Sequence, residues 1–104
     1  MRHDEQFEAL GDATRRAIFE LLQMGPRSVG ELADEFPVSR PAVSQHLKVL
    51  KNAGLVSDEA VGTRRIYSID PAGLEPLRGW VEKIWNQALS NFAAAVDELK
   101  GTSS

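Results

Sequence analysis

The side chains best suited to chemistry lie in the middle of the chain. Arg40, Ser44 and Lys48 recur every four residues, with Ser39, Ala42, Gln45 and His46 among them. Four-residue spacing stacks side chains on one helix face. A helix here would therefore show a polar row outward while Val43, Leu47 and Leu50 point inward. Thr63, Arg64 and Arg65 form a second polar set beyond a change of hydrophobic period. Nucleic acid is the ligand that such groups fit. Gln pairs bidentately with adenine and Arg with guanine, Ser serves either, and Lys suits phosphate. Ala42 is small enough for close approach or for contact with a thymine methyl. His46 reads as a structural or phosphate-contacting residue. Adjacent arginines at a hairpin tip can reach phosphates or a narrow minor groove. Each residue alone is ordinary on a solvated surface or a blunted sheet edge. Their occurrence on two successive elements is the informative feature.

Other chemistries are poorly supplied. The chain has no cysteine and two histidines, His3 and His46, so thiolate sites, disulfides and thiol switches are excluded. A stable transition-metal site needs three or four close ligands, and no metal or other cofactor is expected. The acidic pairs Asp34-Glu35 and Asp97-Glu98 read as solvated helix faces. No glycine-rich phosphate loop or nucleophile–base pair is visible, so an enzyme is not expected.

The elements that must position the polar rows follow from caps and breakers. A short helix over about 4–10 carries Phe7 and Leu10. Asp12 then caps a second helix with Ala17, Ile18, Leu21 and Leu22 inward, ended by Gly25-Pro26. Ser28 and Glu31 have the spacing of a capping box and open a third helix that Pro37 stops. After the turn Pro37-Val38-Ser39, either Ser39 or Arg40 caps the fourth helix, with Pro41 in its first turn and Gly54 at its end. Two β-rich runs around Val61-Gly62-Thr63 form a hairpin over about 55–69. Asp70-Pro71 starts a turn over 71–74. Because an interior proline breaks a helix, the long last helix is expected from Pro76 to about residue 99. Helix, short turn, helix and hairpin make a helix-turn-helix over about 28–53 with a wing over 55–69. The fold class is mainly α with a small β-hairpin, in the order α-α-α-α-β-β-α, as one domain over 1–104.

The last helix bears two apolar stripes. Trp80, Ile84, Trp85, Leu89 and Phe92 give more apolar surface than one core contact needs. With Phe7 they are expected to form a homodimer interface; the alternative is that the helix lies across its own domain and buries both stripes. Net charge is −3 at pH 7, which by itself disfavours nucleic acid. The imbalance is local: residues 38–67 hold five basic and two acidic residues, against four and eight over 1–37. A basic middle third is what phosphate contact requires. No run is long enough for a membrane helix and no signal peptide is seen, so a cytoplasmic address is expected.

Two stretches add a family resemblance. Phe7-Glu-Ala-Leu-Gly-Asp-Ala-Thr-Arg-Arg-Ala-Ile-Phe-Glu-Leu-Leu resembles the opening of the ArsR/SmtB family of winged helix-turn-helix repressors. Ser39-Arg-Pro-Ala-Val-Ser-Gln-His-Leu-Lys-Val-Leu-Lys-Asn-Ala-Gly-Leu-Val resembles its recognition helix and following strand, and Gly62-Thr-Arg-Arg-Ile-Tyr-Ser-Ile its wing. The resemblance spans about residues 5–92. It implies a dimeric repressor on a near-palindromic double-stranded DNA operator; whether another ligand, a partner protein or no inducer at all governs release is left open by the sequence. Many such proteins sense metals through a cysteine pair on the third helix, or through His and acidic residues on the last. Here Leu32-Ala33-Asp34-Glu35 stands at the first place, and no His follows His46. A metal-gated sensor and a winged-helix module for protein contact are the alternatives.

Overall fold

The computed structural model describes residues 3–102. Five helices and three strands follow in the order α1 (His3–Ala9), α2 (Ala13–Leu22), β1 (Arg27–Ser28), α3 (Val29–Glu35), α4 (Arg40–Asn52), β2 (Val56–Val61), β3 (Arg64–Ile69) and α5 (Pro71–Thr102). The core lies where α2, α3 and α4 meet the base of the hairpin. Ile18, Leu32, Val43, Leu47, Leu50 and Leu55 are fully buried there. Among the described residues no helix is long and apolar enough to cross a membrane.

The helix boundaries have local causes. The Asp12 side chain accepts the Arg15 N–H at 2.9 Å. Ser28 and Glu31 close the reciprocal capping box that their spacing suggests. Ser39, rather than Arg40, caps α4: its Oγ accepts the Ala42 N–H at 3.3 Å. The far end of α4 closes as a Schellman motif. Leu55 N–H reaches Leu50 O, Gly54 N–H reaches Lys51 O, and Gly54 takes a φ of 76° that a Cβ would oppose.

Two expectations need correction. The chain does not break between a turn at 71–74 and a helix from 76; α5 runs continuously through Pro76. Asp70 caps it by accepting the Ala72 N–H at 3.0 Å, and Pro71 occupies the first turn. Pro76 thus falls in the second turn, where it deprives only the Ala72 carbonyl of an N–H partner. The hairpin is also not alone. Arg27 and Ser28 pair antiparallel with Tyr67 and Ile66, which gives a three-stranded sheet in the order β1-β3-β2.

α5 has 32 residues, about 48 Å at helical rise. Its root is tightly packed: a Cβ on Gly73 would stand 1.8 Å from the Gly54 carbonyl oxygen. Its remainder extends beyond the head, and the molecule measures 72 × 27 × 21 Å. The helix therefore does not bury both stripes across its own domain. Trp80 packs edge-on against Phe7, with ring centroids 4.7 Å apart. Beyond it Ile84, Trp85, Leu89 and Phe92 are exposed, Trp85 by 62% and Phe92 by 69%.

Candidate nucleic-acid interface

The inward stripe of α4 fixes its outward face. Val43, Leu47 and Leu50 are buried, so Ser39, Arg40, Ser44, Gln45 and Lys48 lie exposed on the other side. Ala42 and His46 are half-buried at the margin. His46 Nδ1 is shut from solvent and has no hydrogen-bond partner among the described residues. At 13 residues α4 is about 20 Å long, which exceeds the roughly 12 Å width of a B-DNA major groove.

The wing turns at Gly62-Thr63, and Gly62 has a φ of 64°. That is the first central position, where a II′ turn needs glycine. The turn exposes Thr63, Arg64 and Arg65, but the two arginines diverge because successive strand residues face opposite ways. Arg64 turns toward α3 and donates to Glu31 Oε1 at 2.7 Å. Arg65 donates to Asp58 Oδ2 at 2.9 Å on the opposite face.

The N-terminal ends of α3 and α4 meet the wing tip in one open cleft of about 420 Å³, bordered by Gly30, Glu31, Asp34, Arg40, Thr63 and Arg64. Arg40 and Arg64 thus belong to a single concave surface, although they are distant in sequence. Gly30 makes room for this: a Cβ there would lie 3.0 Å from Arg40 Nη2. Of the two acids that border the cleft, Glu31 is the one paired with Arg64. The Ser28 N–H and the Ser28 hydroxyl, ahead of Arg64, hold its carboxyl below the ordinary value of 4.5. In the sequence Glu31 shows only as a cap, and the places of Gly30, Lys51 and Asp58 at the site are not evident. The one available signal was that Asp58 and Glu59 are the sole acids in an otherwise basic segment.

Among the described residues no three His, Asp or Glu side chains come together so as to hold a metal ion. The arrangement offers a helix face of polar groups, flanked by cations, whose types can hydrogen-bond base edges and pair with phosphate. Residues 12–58 match the family model of the bacterial regulatory proteins of the arsR family. The chain is 56% identical over 94 residues to the HTH-type transcriptional regulator Rv2034 of Mycobacterium tuberculosis, covering 90% of this chain and 88% of that one.

The chain belongs to the arsR family.

A second relative is the transcriptional repressor SdpR of Bacillus subtilis, 36% identical over 78% of this chain and 90% of that protein. Among solved structures, the homodimeric winged helix-turn-helix DNA-binding domain Mb0332 of Mycobacterium bovis superposes with a TM-score of 0.67 at 28% identity, covering 83% of this chain and 80% of that one. In this arsR-family frame the three-stranded sheet is the wing and its base, and α4 occupies the recognition-helix position.

Proposed function

We propose that this arsR-family regulator binds a near-palindromic DNA operator as a homodimer and represses transcription in the cytoplasm. The observation that carries the reading is the shared cleft: the start of α4 and the wing tip present Arg40 and Arg64 to one concave surface. A duplex with α4 in its major groove would meet both. Arg40, Ser44 and Gln45 then face base edges, with Ser39 and Ala42 beside them. Lys48, His46, Thr63 and Arg64 border the phosphates; Arg65 stands beside them on the wing, paired with Asp58. Repression is supported by the similarity to SdpR, and dimerisation by the homodimeric state of Mb0332. The uncovered apolar face of α5 also supports a dimer, with Phe7, Trp80, Ile84, Trp85, Leu89 and Phe92 at the contact. Two-fold symmetry would set the recognition helices about 34 Å apart, one turn of DNA.

The test is selection of bound sequences from a random duplex pool, followed by titration of the selected site. Gln45→Ala should lower affinity for the selected site by about tenfold and leave random DNA within about twofold. Equal losses on both would remove α4 from base reading. Absence of any salt-dependent binding by the native chain would leave a protein-contact module as the reading.

A further inference from the structure

Asp58 is the acid least expected on a DNA-facing wing. It lies on the edge strand β2, where exposed charges commonly blunt unwanted strand pairing. Its neighbour Glu59 fits that description, being exposed and without an ion pair among the described residues. Asp58 does not fit it. Its side chain is only 8% exposed and is held from two directions: Lys51 Nζ at 2.7 Å on Oδ1, and Arg65 Nη1 at 2.9 Å on Oδ2. A nearly buried carboxylate is tolerated only when its oxygens are paired in this way. The partners come from different elements. Lys51 belongs to the last turn of α4, and Arg65 to β3. In the ladder Asp58 stands opposite Tyr67 and Ala60 opposite Arg65, so Asp58 and Arg65 are diagonal neighbours on one sheet face. That diagonal crosses the hairpin, and the bond to Lys51 then fastens it to the helix.

We propose that Asp58 is a positioning residue: it ties Lys51 at the end of the recognition helix to Arg65 of the wing and so fixes the angle at which the wing meets DNA. The inference rests on the DNA-binding reading above and refines it. Arg64, on the opposite face and bound among the described residues to the exposed Glu31 alone, is the wing cation free to exchange its partner for phosphate. Arg65 borders the same cleft but is committed to Asp58. Two cations around one anion leave the cluster net positive, so it does not repel the duplex.

Charge and position make opposite predictions for Asp58→Asn. Removing an acid beside DNA tightens binding if charge alone matters. If Asp58 positions the wing, its loss weakens binding. The experiment measures operator affinity across a salt series for the full chain, Asp58→Asn, Arg65→Ala and the double variant. The expected result is a three- to tenfold loss, on the order of one hydrogen-bonded charge pair, in each single variant. The double variant should be no weaker than the worse single one. The salt slope should stay unchanged for Arg65→Ala, whereas a phosphate-contacting arginine lowers it by about one. Hydrogen exchange of the hairpin amides, measured without DNA, should speed up in both single variants while the core amides of α4 keep their protection. Tighter binding by Asp58→Asn, a reduced slope for Arg65→Ala, or unchanged hairpin exchange would each overturn the proposal. Failure of the native chain to bind DNA would overturn the underlying reading instead, and the exchange measurement would still test the tether.

Discussion

At the root of α5 the backbone of Gly73 sits against that of Gly54 with no room for a side chain, which makes Gly73→Ala a sharp test. A Cβ built on Gly73 falls 1.8 Å from the Gly54 oxygen and 2.5 Å from its carbonyl carbon. Moving from 1.8 Å to the 3.0 Å below which real Cβ contacts essentially never occur displaces the helix, or the turn, by about 1.2 Å. The opposing atoms are backbone, so no side-chain rotamer can absorb the shift. Nor can Gly54 yield easily, because it is the αL residue of the Schellman motif that ends α4. Overpacking of this kind costs about 1–3 kcal/mol, with a backbone clash at the upper end. Helix propensity works the other way and favours Ala over Gly by about 1 kcal/mol. The net expectation is a loss of about 2 kcal/mol, or about 10 °C in Tm for a domain of this size. Thermal unfolding followed by circular dichroism measures it. An unchanged or raised Tm would mean that propensity alone governs the site, and the docking of α5 on Gly54 would be refuted.

Two further outcomes are expected. Trp85→Glu places a carboxylate at the centre of the exposed stripe and should weaken self-association at least a hundredfold, since an unpaired buried charge costs several kcal/mol; a variant that still sediments as a dimer would move the interface elsewhere. The carboxyls of Asp12, Glu31 and Asp58 are held below their ordinary values of 3.8, 4.5 and 3.8 by N–H donors, the Arg15 backbone, the Ser28 backbone and Lys51 respectively. A lowered folded value means stability that is complete above the unfolded value and is lost as pH falls through the folded one. Tm should therefore be level from pH 7 to about 5 and drop below about 4, with a shallower acid drop in Asp58→Asn; a decline already complete at pH 5 would assign the effect to other groups.

Much of the frame was legible because its causes are local. A Ser three residues before a Glu, an Asp before a helical stripe, and a Gly after one each specify a boundary within a single turn, and Asp12, Ser28 and Gly54 behave accordingly. Pro76 was misleading for an equally local reason. Proline is costly inside a helix, but the cost depends on which carbonyl it strands, and here that carbonyl belongs to the exposed Ala72. The strand Arg27–Ser28 has two residues and hence no periodicity to detect. The partnerships at the site were hidden because they cross the chain. Glu31 meets Arg64 over 33 residues, and the place of Asp58 depends on hairpin register and the proximity of Lys51 together. Arg64 and Arg65 looked equivalent in sequence; strand alternation separates them.

One end of one helix joins most of these features. Gln6 of α1 donates to the Ala53 carbonyl at 2.6 Å, and Gln6 is buried. Gly73 of α5 rests on Gly54, and the Asp70 N–H that precedes α5 bonds Leu55 O at 2.9 Å. Lys51 holds the wing through Asp58. The two elements that carry the exposed apolar stripe, α1 and α5, and the wing therefore all attach within five residues at the C-terminal end of α4. The exposed polar row proposed to read bases begins at the other end, at Arg40. A helix of 13 residues is rigid on this scale, so a tilt imposed on α5 rotates α4 about its attached end and displaces Arg40 most. Lys48, near the attachment, moves least. Loosening the joint at Gly73 should accordingly impair base discrimination at the Arg40 end more than phosphate contact at the Lys48 end. Gly73→Ala, at a temperature where it remains folded, should lose selected-site affinity while its binding to random DNA changes little. Equal losses on both would mean that the head reads DNA independently of how α5 is seated.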